Sequence, residues 1–313
     1  MHVINSATDE QVESEIKKRT SAHAAQFTEV IPPMDCGEFR TKWVRSWHPE
    51  IVTIGELRFK SPSCYPRAVL LGLNELDIDL LRLRTELCSV ADDRAFVNMT
   101  VWPEVQHFGS GCSWLSIPPS DRDFQFGSYN TGEDRPSDTS QQSTSRRITF
   151  ERRYIVQPKV TVWLTAVNCG PDKNPRVRVW ADDITREGFT IHVDTWGDTD
   201  LWSAGASWLA HSGVRTDVRS GTFQIQDVRL SGTPDSKTRG RVSWGAPRME
   251  KPPRVFAALN MLEFEAGKYC RLSLYTSDVT TTGMSWNLDT WLDTVCYQAG
   301  GTFFAFDDSE EDK

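Results

Sequence analysis

The chain has 313 residues, of which 38% are hydrophobic and 25% are charged, and its formal net charge is −8. At about 150 residues per domain the length favours two domains, with one or three allowed, and the composition excludes wholesale disorder and collagen. No apolar run approaches the roughly 18 residues of a membrane-spanning helix, and the acidic balance opposes the counterion release that drives nucleic-acid binding.

Both ends of the chain lie outside its patterned region. Residues 1–32 are polar, with a short helical pattern over residues 10–18, and we expect an N-terminal arm without fixed structure. Residues 309–313 form an acidic tail. The first residues lack the basic-then-apolar order of a signal peptide, so we expect a chain that is cytoplasmic or secreted without a recognisable signal peptide.

One unit of sequence occurs three times between these ends. A tryptophan recurs at Trp102, Trp196 and Trp291, at steps of 94 and 95 residues. An aromatic residue follows each of them twelve positions later, and its apolar neighbours predict packing in the core or between copies: Trp114, Trp208 and Phe303. Internal repetition of this kind defines the architecture. We divide the chain into a first repeat over residues 33–119, a second over 120–213 and a third over 214–308.

Each repeat has the pattern of about six short β-strands. Segments such as KVTVWLTAV and GFTIHVDTW alternate apolar and polar residues and are bounded by turn residues. In the second of these, Phe189, Ile191 and Val193 form the predicted core face. No helical period fits inside a repeat. The sequence therefore predicts an all-β fold of three tandem six-stranded antiparallel β-sandwiches.

An arginine lies twenty residues before each recurring tryptophan, at Arg82, Arg176 and Arg271. The midpoints fall in turn-like segments, which predicts hairpins that place each arginine opposite or diagonal to its tryptophan on the polar strand face. A guanidinium beside an indole suits a sugar, whose hydroxyls bond to charged groups while its C–H face lies on an aromatic ring. The same pair also occurs as a cation–π contact that only covers a sheet.

Catalytic and metal chemistry has no clear pattern in this sequence. The seven cysteines are scattered without zinc-site spacing, and we interpret most of them as buried thiols. Asp194 and Asp198 flank Trp196 as a glycosidase pair would, but a general acid would need an apolar pocket that this polar strand face does not offer. We expect no enzyme, no catalytic residues, no metal and no cofactor.

The segments RRITF, RVRVWADDITREGFTIHVDTWGDTDLWSAGASWLAH and TTTGMSWNLDTWLDT resemble the H-type lectin domain family of snail agglutinins, discoidins and fungal proteins. The resemblance covers about residues 36–308 and is clearest in the second repeat. It implies a six-stranded antiparallel sandwich that forms trimers. It also implies that N-acetylgalactosamine or galactose binds, without a metal, in clefts between subunits.

Carried onto this sequence, the resemblance implies carbohydrate-binding roles for the three arginines and the three recurring tryptophans. The family's loop aspartate before the ITF strand has Asp138 and Asp235 as its nearest candidates, and the first repeat offers no counterpart. Snail members have a histidine directly after the tryptophan. This chain has Pro103, Gly197 and Leu292 there, which leaves the preference for the N-acetyl group open.

Three copies in one chain predict that the trimer is built within the polypeptide, as an intrachain pseudo-trimer whose binding clefts lie between repeats. The expected state is a monomer, with a higher oligomer left open. Expected partners are N-acetylgalactosamine or galactose on glycoproteins or glycolipids, as in cell adhesion, with no nucleic acid and no transmembrane segment. The alternative is a sugar-silent structural or protein-interaction module on the same fold.

Overall fold

A computed structural model of the chain describes residues 34–41, 51–60, 68–118, 121–230 and 233–307. The predicted N-terminal arm, its helical pattern and the acidic tail lie outside these residues. No helix in the described ranges is long and apolar enough to cross a membrane.

The described residues form eighteen β-strands and two short 3-10 turns. The first predicted repeat contains β1 (Asp35–Arg40), β2 (Ile51–Arg58), β3 (Ala68–Ile78), β4 (Arg82–Val90), β5 (Arg94–Val101) and β6 (His107–Ile117). The second contains β7 (Gln125–Asn130), β8 (Ser143–Thr149), β9 (Pro158–Cys169), β10 (Arg176–Asp182), β11 (Gly188–Asp194) and β12 (Leu201–Ser212). The third contains β13 (Val218–Gln224), β14 (Lys237–Ser243), β15 (Arg254–Phe264), β16 (Cys270–Thr280), β17 (Gly283–Asp289) and β18 (Cys296–Phe306). The 3-10 turns, Thr131–Glu133 and Ile225–Asp227, follow β7 and β13. The predicted all-β antiparallel fold is confirmed.

The strands assemble into three six-stranded sheets, and every sheet takes three strands from each of two repeats. The strand orders are β1-β6-β3-β16-β17-β14, β13-β18-β15-β10-β11-β8 and β2-β5-β4-β9-β12-β7. Each repeat therefore gives three strands to one sheet and three to another. Because every pair of repeats shares a sheet, the three repeats are joined in a closed cycle.

The junctions between repeats are short antiparallel ladders. Strand β4 of the first repeat pairs with β9 of the second, β10 of the second with β15 of the third, and β16 of the third with β3 of the first. Each ladder contains three or four residue pairs. Because these ladders are short, side-chain contacts at the junctions contribute much of the stability of the contact between repeats.

All three repeats contribute to one apolar cluster that is separate from the sandwich cores. Leu115, Leu209 and Phe304, from β6, β12 and β18, are completely buried in it. Trp163 is also buried there, and its indole N–H donates to the Leu71 carbonyl of the first repeat at 2.8 Å. Burial of apolar surface from three repeats in one cluster makes each repeat depend on the other two.

A glycine faces each buried aromatic residue that follows the recurring tryptophan. Strand pairing places Gly37 opposite Trp114, Gly127 opposite Trp208 and Gly221 opposite Phe303. A Cβ atom on Gly127 would lie 2.9 Å from Cζ2 of Trp208. The three aromatic residues are buried, as predicted, and the glycine recurs because the large ring occupies the space of a side chain.

The predicted strand faces are confirmed, but the position of the tryptophans is not. Phe189, Ile191 and Val193 are buried, while the alternating residues of β11 are half-buried. Strands β5, β11 and β17 end at Val101, Asp194 and Asp289. The recurring tryptophans therefore lie in the loops just beyond the strands rather than on their polar faces.

Candidate functional site

The predicted hairpin register is observed in all three repeats. Leu83 pairs with Val101, Arg178 with Asp194, and Ser273 with Asp289. Extended by one or two residues, these registers bring Arg82 opposite Trp102, Arg176 opposite Trp196 and Arg271 opposite Trp291. Each arginine lies at or next to the start of a strand that forms a junction between repeats.

At the junction of the first and second repeats, Arg82 lies between two indole rings from different repeats. Its guanidinium carbon is 5.5 Å from the ring centroid of Trp102 and 4.7 Å from that of Trp202. Its Nε donates to Oδ1 of Asn168 in the second repeat at 2.8 Å. Its Nη1 forms an ion pair with Glu104 of its own repeat. The cleft is thus built from both repeats.

At the junction of the second and third repeats, Arg176 holds an ion pair across the boundary. Its Nε is 2.9 Å from Oε1 of Glu263 in the third repeat. Its Nη1 is 2.9 Å from Oδ1 of Asp198, donates to the Thr199 hydroxyl at 3.1 Å and lies 3.5 Å from the Trp196 carbonyl oxygen. The loop that carries the tryptophan is fastened to the arginine through these bonds.

The junction of the third and first repeats has the same plan. The Nε of Arg271 is 3.1 Å from Oδ1 of Asp77 in the first repeat. Its Nη1 forms an ion pair with Asp293, two residues after Trp291. The guanidinium carbon lies 4.0 Å from the ring centroid of Tyr269. The arginines of all three junctions therefore have equivalent partners.

The shared plan leaves one part of each guanidinium available. In all three arginines Nε bonds to a residue of the neighbouring repeat, and Nη1 bonds to an acid two residues after the tryptophan. Within the described ranges, Nη2 has no hydrogen-bond partner in any of the three. The side chains are only 10%, 14% and 9% exposed, so most of each arginine serves the junction and only its tip can meet a ligand.

The charges at these junctions respond to burial in different ways. The hydrogen bond from Arg176 holds the pKa of Asp198 below its usual range. Burial raises the pKa of Asp77 despite the attraction of Arg271, and burial lowers the pKa of Arg82. Burial also disfavours the charged form of Arg176, but its hydrogen bonds to Glu263 and Asp198 raise the pKa overall.

The carboxylates that could support catalysis are occupied by internal bonds. Asp194 accepts from Nε1 of Trp180 at 2.5 Å and from the Ser143 hydroxyl at 2.7 Å. Asp198 is bound by Arg176, and its lowered pKa is opposite to what a general acid needs. No group of three or more His, Cys, Asp or Glu residues in the described ranges could hold a metal.

The two loop aspartates lie beside the tryptophan loops of their own repeats. Asp138 is exposed and accepts from the Thr139 hydroxyl at 3.2 Å. Its loop bonds to the loop after Trp196, because Gln142 donates to the Gly197 carbonyl at 3.2 Å. Asp235 accepts from the Lys237 amide at 3.0 Å. The contacts of these two aspartates connect neither of them to a site arginine.

Sequence reasoning missed the aromatic residue that the neighbouring repeat contributes. Trp202 contacts Arg82 from the second repeat, and Phe108 of the first repeat lies 5.6 Å from Tyr269 of the third. A signal for this position was present in the sequence. Aromatic residues recur at Phe108, Trp202 and Tyr297, at the same steps of 94 and 95 residues as the site tryptophans.

Part of this chain is similar to a curated protein. A relative from Fuscovulum blasticum, described as ORF 7 of the ATP synthase subunits region, is 39% identical over 70 residues. The match spans 22% of this chain and 61% of that relative.

Two solved structures of discoidin II from Dictyostelium discoideum are also similar. The native recombinant form is 14% identical, with a TM-score of 0.27, over 48% of this chain and 75% of its own. The wild-type form is 12% identical, with a TM-score of 0.26, over 56% of this chain and 93% of its own.

The H-type lectin domain matches residues 145–211 and 248–306 of this chain. The first segment lies in the second predicted repeat and the second segment in the third. The match supports a carbohydrate-binding role in general terms and points to a non-enzymatic protein. These two segments of the chain are therefore similar to the H-type lectin domain.

Proposed function

We propose that this chain is a lectin for glycans that end in N-acetylgalactosamine or galactose, and that it binds them in the clefts between repeats. The three repeats, at residues 33–119, 120–213 and 214–308, act in this proposal as the three units of an intrachain pseudo-trimer. The observation that carries the proposal is the shared plan of the three arginines. Each has its Nε and Nη1 fixed by the junction, and its Nη2, opposite a half-buried tryptophan in the strand register, has no hydrogen-bond partner among the described residues.

The chemistry of this arrangement suits a sugar. A fixed guanidinium can donate to hydroxyl oxygens without losing side-chain freedom when the ligand binds, which lowers the cost of association. A hydrogen bond to a charged group contributes about 1.5 to 3 kcal/mol. The indole offers an apolar face to the C–H groups of the ring. In this proposal Asp138 and Asp235 accept hydrogen bonds from sugar hydroxyls at the edges of the clefts.

The residues after the tryptophans support different preferences in the three clefts. Gly197 has a φ of +64°, and a Cβ there would lie 2.9 Å from Nη1 of Arg176, so a larger residue would be strained at this position. Leu292 has a φ of +56° and is 83% exposed, which places an apolar side chain beside Trp291. Pro103 is exposed beside Trp102. A glycan that fits one cleft need not fit the others.

A glycan array on the purified chain tests the proposal, with Trp196→Ala and Arg176→Ala at equal concentration. We expect selective signals for terminal N-acetylgalactosamine or galactose that either change weakens. Glu151→Ala is a suitable control, because Glu151 is exposed and far along the chain from the site residues. A folded chain that binds no glycan would favour the sugar-silent module instead.

A further inference from the structure

A groove lies on the sheet that the second and third repeats share, along β10 from the Arg176–Glu263 ion pair. The cavity has a volume of about 340 Å³, and its lining includes Arg178, Trp180, Thr222, Gln224, Asp227 and Asn260 beside several apolar residues. The first two residues come from the second repeat and the other four from the third. None of them belongs to the cleft described above.

The groove continues along the strand that carries the site arginine. Residues two apart in a strand share a face, so Arg176, Arg178 and Trp180 project from the same side of β10. At about 3.3 Å per residue they cover roughly 13 Å. Across the junction, Arg176 pairs with Glu263 and Arg178 with Met261. The lining of the groove thus begins at Arg178, two residues along β10 from the site arginine.

The side chain of Trp180 is held in place before any ligand arrives. The indole N–H of Trp180 donates to Asp194 at 2.5 Å. The ring stacks on His192 at 4.1 Å between centroids and 12° between planes, and His192 is held by Asp182 at 2.7 Å. Such order before binding reduces its entropic cost.

The guanidinium of Arg178 is the group with spare bonding capacity. It lies 5.3 Å from the centroid of the Trp180 ring, is exposed and makes no hydrogen bond or ion pair with the described residues. On the opposite wall, Gln224 and Thr222 offer an amide and a hydroxyl, and Asp227 offers a carboxylate. Donors and acceptors on both walls suit hydroxyl groups, while the carboxylates nearby oppose an acidic ligand.

The equivalent grooves at the other junctions lack this combination. Between the first and second repeats a cavity of about 400 Å³ has Arg84 in place of Arg178 and Glu86 in place of Trp180. The Nε of Arg84 lies 3.4 Å from Glu86. At the junction of the third and first repeats, the positions two and four residues after Arg271 are occupied by Ser273 and Tyr275. Among the residues that the structure describes, the groove of the second and third repeats alone joins an indole to a guanidinium that has no hydrogen bond or ion pair.

We propose that the cleft between the second and third repeats binds a neutral oligosaccharide, whose terminal sugar lies at Trp196 and whose following sugars lie in the groove against Arg178 and Trp180. The inference rests on the proposed function, because it extends the ligand of the same cleft. It assigns to this cleft a preference for chain length that the other two do not have.

Titration calorimetry with two probes tests this inference. The probes are the free terminal monosaccharide, galactose or N-acetylgalactosamine, and a neutral linear trisaccharide that ends in it. The experiment uses the full chain carrying Trp102→Ala and Trp291→Ala, which leaves one cleft intact. We expect the trisaccharide to bind at least about tenfold more tightly than the monosaccharide, as one charge-assisted hydrogen bond would give.

Two variants and one control separate the outcomes. Arg178→Ala and Trp180→Ala should remove the gain for the trisaccharide and leave the affinity for the monosaccharide unchanged. The control is Glu86→Ala, at the position of the first repeat equivalent to Trp180. It should change neither the affinity for the monosaccharide nor the gain for the trisaccharide. A gain that survives Arg178→Ala, or no gain in the parent chain, would overturn the inference. Failure of both probes to bind this single-cleft chain would overturn the inference, and failure of both to bind the unmutated chain as well would overturn the proposed function.

Discussion

Removal of Glu263 should destabilise the whole chain, because this residue holds the second and third repeats together. Its carboxylate lies 2.9 Å from Nε of Arg176, and the two side chains are 11% and 14% exposed. The ladder between β10 and β15 has only three residue pairs, so the ion pair is a large part of the contact.

The magnitude follows from the charge that Glu263→Ala leaves behind. Loss of one partner from a buried ion pair typically costs about 3 to 5 kcal/mol. Arg176 keeps its bond to Asp198, which reduces the penalty, and we expect a loss of about 2 to 3 kcal/mol. This is a large share of a total stability of about 5 to 15 kcal/mol.

Urea unfolding followed by tryptophan fluorescence measures this loss as a change in the free energy of unfolding. The control is Glu151→Ala, which removes an 88% exposed carboxylate 3.7 Å from Arg152 and should cost less than about 0.5 kcal/mol. Equal stabilities for Glu263→Ala and Glu151→Ala would refute the reasoning that buried ion pairs hold the junctions.

Three further predictions address the core, the backbone and the pH dependence. Gly127→Ala should lower the free energy of unfolding in urea by about 1 to 3 kcal/mol, because the new Cβ would lie 2.9 Å from the Trp208 ring. The control Gly109→Ala should be nearly neutral, because the nearest atom to its new Cβ would be 3.9 Å away. Leu292→Gly should raise the free energy of unfolding by up to about 1 kcal/mol in the same assay, since it removes a non-glycine residue from the left-handed backbone region. A clear loss of stability would contradict the strain assigned to Leu292. Burial lowers the pKa of His211 from 6.5 to about 4, so the unfolded chain binds the proton more tightly than the folded chain. The free energy of unfolding should therefore fall by about 3 kcal/mol as the pH drops from 6.5 to 4. A His211→Asn variant that keeps the full acid sensitivity would exclude His211 as its source.

Much of the fold could be predicted because the sequence repeats. The steps of 94 and 95 residues aligned equivalent positions, and the alternation of Phe189, Ile191 and Val193 gave the core face of a strand. Hairpin midpoints gave the register of Arg176 and Trp196, because an antiparallel register fixes the sum of paired residue numbers.

The sharing of sheets between repeats could not be predicted from these patterns. A junction such as that of Arg176 and Glu263 joins residues 87 positions apart, and alternation along one strand does not reveal which strand lies beside it. Trp202 was missed for the same reason: alternation along β12 does not show that this residue faces the first repeat. Its spacing of 94 residues from Phe108 and 95 from Tyr297 was nevertheless visible in the sequence. The sequence suggested an arginine open to a ligand, whereas the structure shows an arginine mostly used to join repeats.

The end of each strand was the other point that alternation could not fix. Parity extends through Trp196 as if β11 continued, but the strand ends at Asp194. The Thr195 hydroxyl then donates to the Arg176 carbonyl at 2.7 Å, which turns the chain into the loop. A side chain that replaces the ladder bond leaves no trace in the hydrophobic pattern.

The central claim is that glycans bind between repeats, and a double-mutant cycle tests it most directly. Trp102 and Trp202 belong to different repeats but contact the same Arg82. The background chain carries Trp196→Ala and Trp291→Ala, which leaves the cleft at Arg82 intact. The measurement is the affinity of this chain for the glycan that binds best on the array. It is repeated after Trp102→Ala, after Trp202→Ala and after the two changes together. We expect each change alone to weaken binding and the double change to cost less than the sum, since both act on one cleft. A Trp202→Ala variant that binds with undiminished affinity would contradict the claim.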